Sequence, residues 1–170
     1  MYEFKKNRNM KNLTAFLLAA FLPLCALAQV KDGDAAPDFK FKTPDGTEYT
    51  MASFKGKLVF IDVWATWCPP CRAEIPALKA LEKTFEGQDV VFVSISVDKD
   101  KPAWEKFVRE QSLGGVQLHA GQEGSRAFSQ EYGIKTIPRF ILIGRDGKII
   151  NANAPRPSQD ATAGYIKSFL

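Results

Sequence analysis

Three cysteines, a single histidine and a few isolated acids are the groups of this 170-residue chain from which chemistry could come. Cys68 and Cys71 stand three apart in Trp64-Ala65-Thr66-Trp67-Cys68-Pro69-Pro70-Cys71. Ahead of them, Leu58-Val59-Phe60-Ile61-Asp62-Val63 has the length and branching of a buried strand. Behind them, Ala73, Ile75, Ala77, Leu78, Leu81 and Phe85 recur at helical spacing up to Gly87, a helix stop. Cys68 therefore falls at a helix N-terminus, and Pro69 and Pro70 suit a first turn. Unpaired N–H groups and the helix dipole favour an anion there, which raises the thiolate fraction of a cysteine. Cys71, one turn on, is within reach of the first sulfur to close or open a disulfide. Such a pair can exchange disulfides with another protein. A zinc half-site and an inert structural bridge are the alternatives. Zinc wants four ligands, and once a leader is removed the chain offers only these two cysteines and His119.

W-A-x-W-C-P-P-C resembles the active site of the thioredoxin superfamily, and three distant positions agree with it. Asp62, six residues before Cys68, stands where thioredoxins carry a buried acid. Pro76, five after Cys71, matches the proline inside their active-site helix. Tyr132-Gly133-Ile134-Lys135-Thr136-Ile137-Pro138 is similar to the segment holding their cis-proline, and an apolar strand follows at 140–143. The resemblance implies a thioredoxin fold, an α/β architecture with a central mixed sheet flanked by helices. It assigns catalytic roles to Cys68, Cys71 and Asp62. Cys68 is the expected nucleophile, Cys71 the resolving thiol, and Asp62 the group that takes the proton of Cys71. A substrate surface is expected from Trp67, Pro69, Pro70, Thr136, Ile137 and Pro138. A cis bond before Pro138 would present the backbone of Ile137 to an extended client segment. Trp64 is expected in the core and His119 in a structural or surface setting. No cofactor beyond the redox disulfide, and no metal, is expected.

The elements that must hold these groups read as one domain. Phe39 and Phe41 alternate with lysines as a half-buried strand. Pro44-Asp45-Gly46 is a turn, and 47–51 returns as a partner strand. Gly33-Asp34-Ala35-Ala36-Pro37-Asp38-Phe39 with that hairpin resembles the N-terminal extension of peroxiredoxins and of the TlpA/ResA-like exported oxidoreductases of cytochrome c biogenesis. Residues 30–37 read as a short irregular tether and 53–57 as a turn. A second buried strand spans 90–97, and a parallel pair follows from strand–helix–strand order. A helix is expected at 102–111 with Trp104, Phe107 and Val108 inward, a short strand at 116–118, and a helix at 125–132 with Ala127, Phe128 and Tyr132 inward. The spacing from Cys68 to Pro138 resembles the exported subfamily in carrying a strand/helix insertion. Arg145-Asp146-Gly147 joins strands 139–143 and 148–151 as a hairpin. A final helix carries Ala161, Tyr165, Ile166 and Phe169.

The first 28 residues have another character. Lys5, Lys6, Arg8 and Lys11 precede an apolar run, and Ala26-Leu27-Ala28 offers a cleavage site, the layout of a secretory signal peptide. Residues 29–170 then form the thioredoxin-like domain. An uncleaved anchor, or a lipoprotein acylated at Cys25, is the alternative; Met10 would also make a compact start. Cleavage leaves Cys68 and Cys71 as the only cysteines. It also leaves 19 basic against 18 acidic residues, so the net charge of +4 belongs mostly to the leader. No basic patch argues for nucleic acid. The expected protein is an exported, periplasmic, monomeric reductase of protein disulfides, supplied with electrons by a membrane thiol donor. Rival readings are a peroxiredoxin-like peroxidase, a disulfide-forming oxidant and a Cys2His metal carrier. Thr66, two before Cys68, does not fit the peroxiredoxin pattern.

Overall fold

The structure is a computed structural model that describes residues 29–170. The leader, Cys25, Met10 and the cleavage site expected after Ala28 lie outside the described residues. Seven strands form one mixed sheet: β1 (Phe41–Lys42), β2 (Glu48–Tyr49), β3 (Leu58–Trp64), β4 (Val90–Ser96), β5 (Val116–His119), β6 (Arg139–Ile143) and β7 (Ile149–Asn151). Their order is β2-β1-β5-β4-β3-β6-β7. β3, β4 and β5 run parallel, whereas β6 is antiparallel to β3 and β1 to β5. Helices are α1 (Pro69–Thr84), α2 (Lys101–Glu110), α3 (Gly121–Glu131) and α4 (Ala161–Lys167). The α/β thioredoxin fold expected from the sequence is the fold observed.

β3 is the axis of the molecule. All seven of its residues are buried, yet successive side chains face opposite sides of the sheet. Val59, Ile61 and Val63 enter a core with Phe39, Phe41, Phe128 and Tyr132, on the α3 side. Leu58 and Phe60 pack with Leu78, Leu81 and Phe85 of α1 and Ile166 of α4. Trp64 closes the same face against Cys68, Cys71 and Trp104. Asp62 falls between Phe60 and Trp64 in this alternation, so it points toward α1.

The inserted segment supplies β5, which joins the N-terminal hairpin to the parallel core through the pairing of Lys42 with His119. Extension and insertion thus complete one sheet edge together. Residues 30–37 are not a loose tether: the Gly33 and Ala36 amides donate to Ile149 and Gly147 carbonyls, and Tyr132 Oη donates to the Pro37 carbonyl at 2.6 Å.

Several expected details are corrected. The strand expected at 47–51 ends at Tyr49, because Thr50 caps a 3₁₀ turn over Met51–Phe54 with Ser53 Oγ accepting its amide. α3 starts at Gly121 rather than at 125, across two glycines that weaken a helix signal. Gly124 is there for contact, since a Cβ would lie 2.7 Å from the Phe41 ring. Ala127 is exposed, as are Ala73, Ala161 and Phe169, while Glu74 and Thr162 take buried positions on α1 and α4. The small alanine side chains carry little apolar area to fix a helix's rotation, so contacts with partner elements decide it, while Phe169 lies beyond the end of α4.

Candidate active site

Cys68 is the N-cap of α1, with Pro69 and Pro70 in the first turn as their missing N–H groups and preset φ require. Its Sγ accepts the Cys71 amide at 3.3 Å, so a donor already points at this sulfur. The two cysteines are bonded to each other at 2.04 Å, with Cα atoms 5.3 Å apart. Pro76 sits inside the same helix on its exposed side.

Asp62, 8% exposed, lies on the α1 face of β3, two residues before Trp64, which packs against both cysteines. Burial pushes its carboxyl up to about 8, with the negative charges of Glu74 and then Glu82 adding to the effect. Glu74 is a residue that sequence reading misses. It is buried one turn after Cys71, and its carboxylate accepts from the Ser158 amide at 3.0 Å and the Ser158 hydroxyl at 2.9 Å, with Arg156 at 3.7 Å. Those partners lie 84 residues away, beyond the reach of any local pattern.

Asp98 is the second missed residue. It is 3% exposed and accepts from the Thr66 amide at 3.0 Å, the Thr66 hydroxyl at 2.7 Å and the Ser96 hydroxyl at 2.7 Å. It ties the loop before Cys68 to the end of β4. A Ser-x-Asp ending a buried strand next to the active-site strand was the available signal.

Trp67 is 65% exposed, and Pro69, Pro70 and Thr136 are exposed beside it or on the facing loop. Ile137 packs against the cluster that holds both cysteines, and the Ile137–Pro138 peptide bond is cis. Thr136 and Pro138 line a polar groove with Arg139, Asn153 and Arg156. Trp67, Pro69 and Pro70 are thus exposed at the start of α1, and Ile137 of the cis-proline segment packs against the cysteine cluster. Trp64 is buried as expected. His119 packs against Trp104 with ring centroids 5.1 Å apart and the planes tilted, and burial lowers its imidazole below the ordinary range. Among the described residues no three His, Cys, Asp or Glu side chains converge on a metal position.

The Redoxin family model matches residues 31–166, which includes every group just described. The chain belongs to the Redoxin family. Its sequence is 28% identical over 158 residues to the thiol–disulfide oxidoreductase ResA of Bacillus subtilis, covering 86% of this chain and 85% of that one. A solution structure from Bacteroides vulgatus, assigned as a thiol–disulfide oxidoreductase, is 48% identical with a TM-score of 0.73, over 84% of this chain and 91% of that one. A thiol–disulfide oxidoreductase from Bacteroides fragilis is 26% identical with a TM-score of 0.69, over 81% and 100% of the two chains. This member of the Redoxin family is a thiol–disulfide oxidoreductase of the ResA/TlpA type, and the Cys68–Cys71 disulfide is its redox centre.

Proposed function

We propose that this oxidoreductase works outside the cytoplasm as a reductase of protein disulfides, as in cytochrome c maturation, and draws electrons from a membrane thiol donor. The observation that carries the reading is the disulfide at the N-terminus of α1, next to the exposed Trp67, on a fold whose neighbouring strand β3 buries Asp62. The leader pattern of residues 1–28 supports export, and the relatives named thiol–disulfide oxidoreductase ResA support thiol–disulfide exchange as the reaction. The reading treats the protein as a monomer that meets its clients through Trp67, Pro69, Pro70, Thr136, Ile137 and Pro138.

In the reduced protein, Cys68 carries the thiolate, held by the helix terminus and the Cys71 amide. It attacks a client disulfide, forms a mixed disulfide and expels the first client thiolate. Asp62 then takes the proton of Cys71. The Cys71 thiolate attacks Cys68, the intramolecular S–S bond forms, and the second client thiolate leaves to be protonated by solvent. Two electrons pass to the client, and the donor returns them. With its carboxyl at about 8, Asp62 exchanges protons close to neutral pH, where a group serving as base and then as acid works best.

Equilibration of the mature protein against dithiothreitol tests the direction. A reduction potential near that of thioredoxin, about −270 mV, is the expected result, whereas a value near about −120 mV would make it a disulfide-forming oxidant.

A further inference from the structure

Asp62 has a difficulty that the mechanism above leaves open. Its carboxyl is buried, so a proton taken from Cys71 needs a way out before the next turnover. One cleft reaches it. This narrow cleft lies between β3, β4, α1 and the start of β5, and Asp62, Glu82, Lys79 and Gln117 line it. It has room for a single water molecule.

Three observations aim polar groups into that space. Gln117 is 94% buried (6% exposed), and its Nε2 donates to the Gly114 carbonyl at 2.7 Å. That bond fixes the amide's orientation and leaves Oε1, which has no partner among the described residues, as the free acceptor. The Glu82 carboxyl is seated against two glycines of the α2–β5 loop. A Cβ at Gly114 would collide with Glu82 Oε2, and one at Gly115 would lie 3.0 Å from Oε1 and 2.8 Å from the Phe92 carbonyl. Side chains at those positions would displace Glu82 from the cleft. Lys79, one turn before Glu82, donates to the Gln111 carbonyl at 2.9 Å and flanks the outer end. The charge of Glu82 also reaches Asp62.

We infer that Glu82 is the outer station of a proton path from Asp62 to solvent, bridged by one water molecule held on Gln117 Oε1. The step rests on Asp62 acting as the base toward Cys71. The proton leaves Asp62 for the water, the water passes one of its own to the Glu82 carboxylate, and Glu82 releases it to bulk solvent. No electrons move in this step, and Asp62 is returned to the carboxylate. Glu82 touches neither client nor sulfur; it is a positioning residue that acts through Asp62.

The groups facing Asp62 set the pH behaviour. They are Glu74 and Glu82 on α1, with Lys79 moderating Glu82, and no other ionisable side chain among the described residues lines the cleft. Glu82→Gln keeps shape and removes both the relay and a negative charge. Single-turnover resolution of a mixed disulfide formed at Cys68 is followed by tryptophan fluorescence from pH 5 to 10. In Glu82→Gln the plateau rate falls about tenfold, less than the roughly 10²-fold lost with a directly acting proton acceptor. The midpoint of the pH profile moves below that of the parent, because a charge opposing Asp62 ionisation is gone. Small buffer acids and bases restore part of the rate.

Gly114→Ala, at a position without positive φ, leaves Glu82 chemically intact but pushes it outward, and lowers the plateau likewise. A purely packing role for Glu82 would give neither the buffer rescue nor the downward midpoint. Should both variants keep the parental plateau while Asp62→Asn slows resolution, the proton leaves by another route and the relay is wrong. Unchanged resolution in Asp62→Asn itself would remove the base, and the relay with it.

Discussion

Replacing Asp62 by Asn tests the central electrostatic feature of the molecule through stability rather than activity. The carboxyl sits in an apolar layer between Phe60 and Trp64, and burial with the nearby Glu74 and Glu82 charges moves it from 3.8 to about 8. The folded state therefore holds a proton that the unfolded chain releases above about pH 3.8. Between those two values the unfolded state binds one proton fewer, so unfolding free energy falls with rising pH by about 1.36 kcal/mol per pH unit. The loss accumulates to about 4 kcal/mol at pH 7 and levels off above pH 8. Asparagine has the same shape and no charge to desolvate. Asp62→Asn should then match the parent near pH 3.5, apart from a constant offset for the amide, and exceed it by about 4 kcal/mol at pH 7. Guanidinium denaturation of the oxidised proteins at half-unit steps from pH 3.5 to 8.5 gives the difference directly. A difference that does not change with pH would refute the reasoning, since only the titration of a buried carboxyl makes it slope.

Three further substitutions probe the cysteines and the loop that presents them. Cys71→Ser should accumulate mixed disulfides with client proteins, visible as adducts on non-reducing gels, whereas Cys68→Ser should not; the opposite pattern would exchange the roles of the two thiols. Asp98→Ala leaves the Thr66 amide without its acceptor and removes two hydroxyl bonds, and should cost about 3 kcal/mol of stability by denaturant titration. A loss below about 0.5 kcal/mol, the range of ordinary surface changes, would show that water replaces the carboxylate there.

Much of the site was legible because its signals are local. Two cysteines three apart at a strand-to-helix junction, prolines in the first helical turn and one acid inside an apolar strand are all patterns within fourteen residues, 58–71. The role of Asp98 was not legible, because its bonds to Thr66 span 32 residues. Glu74 reads as an ordinary surface residue of a helix until the segment after β7 folds over it and Ser158 supplies two donors. α3 was placed four residues late, because the flexibility of Gly121 and Gly124 is a local signal and the Phe41 ring that fills the space beside Gly124 is not.

By itself the sequence determined the chemistry: which sulfurs react, which helix end activates the first of them, and which acid stands inside the apolar strand before them. Each of those follows from residue type and the two backbone periods, and both act over a few residues. Only the tertiary structure decided the electrostatics around that chemistry. Whether Asp62 is sealed, which charges oppose its ionisation and where its proton can go depend on burial and on pairs brought together across the sheet. Those are properties of distance in space, which the order of residues along the chain does not carry.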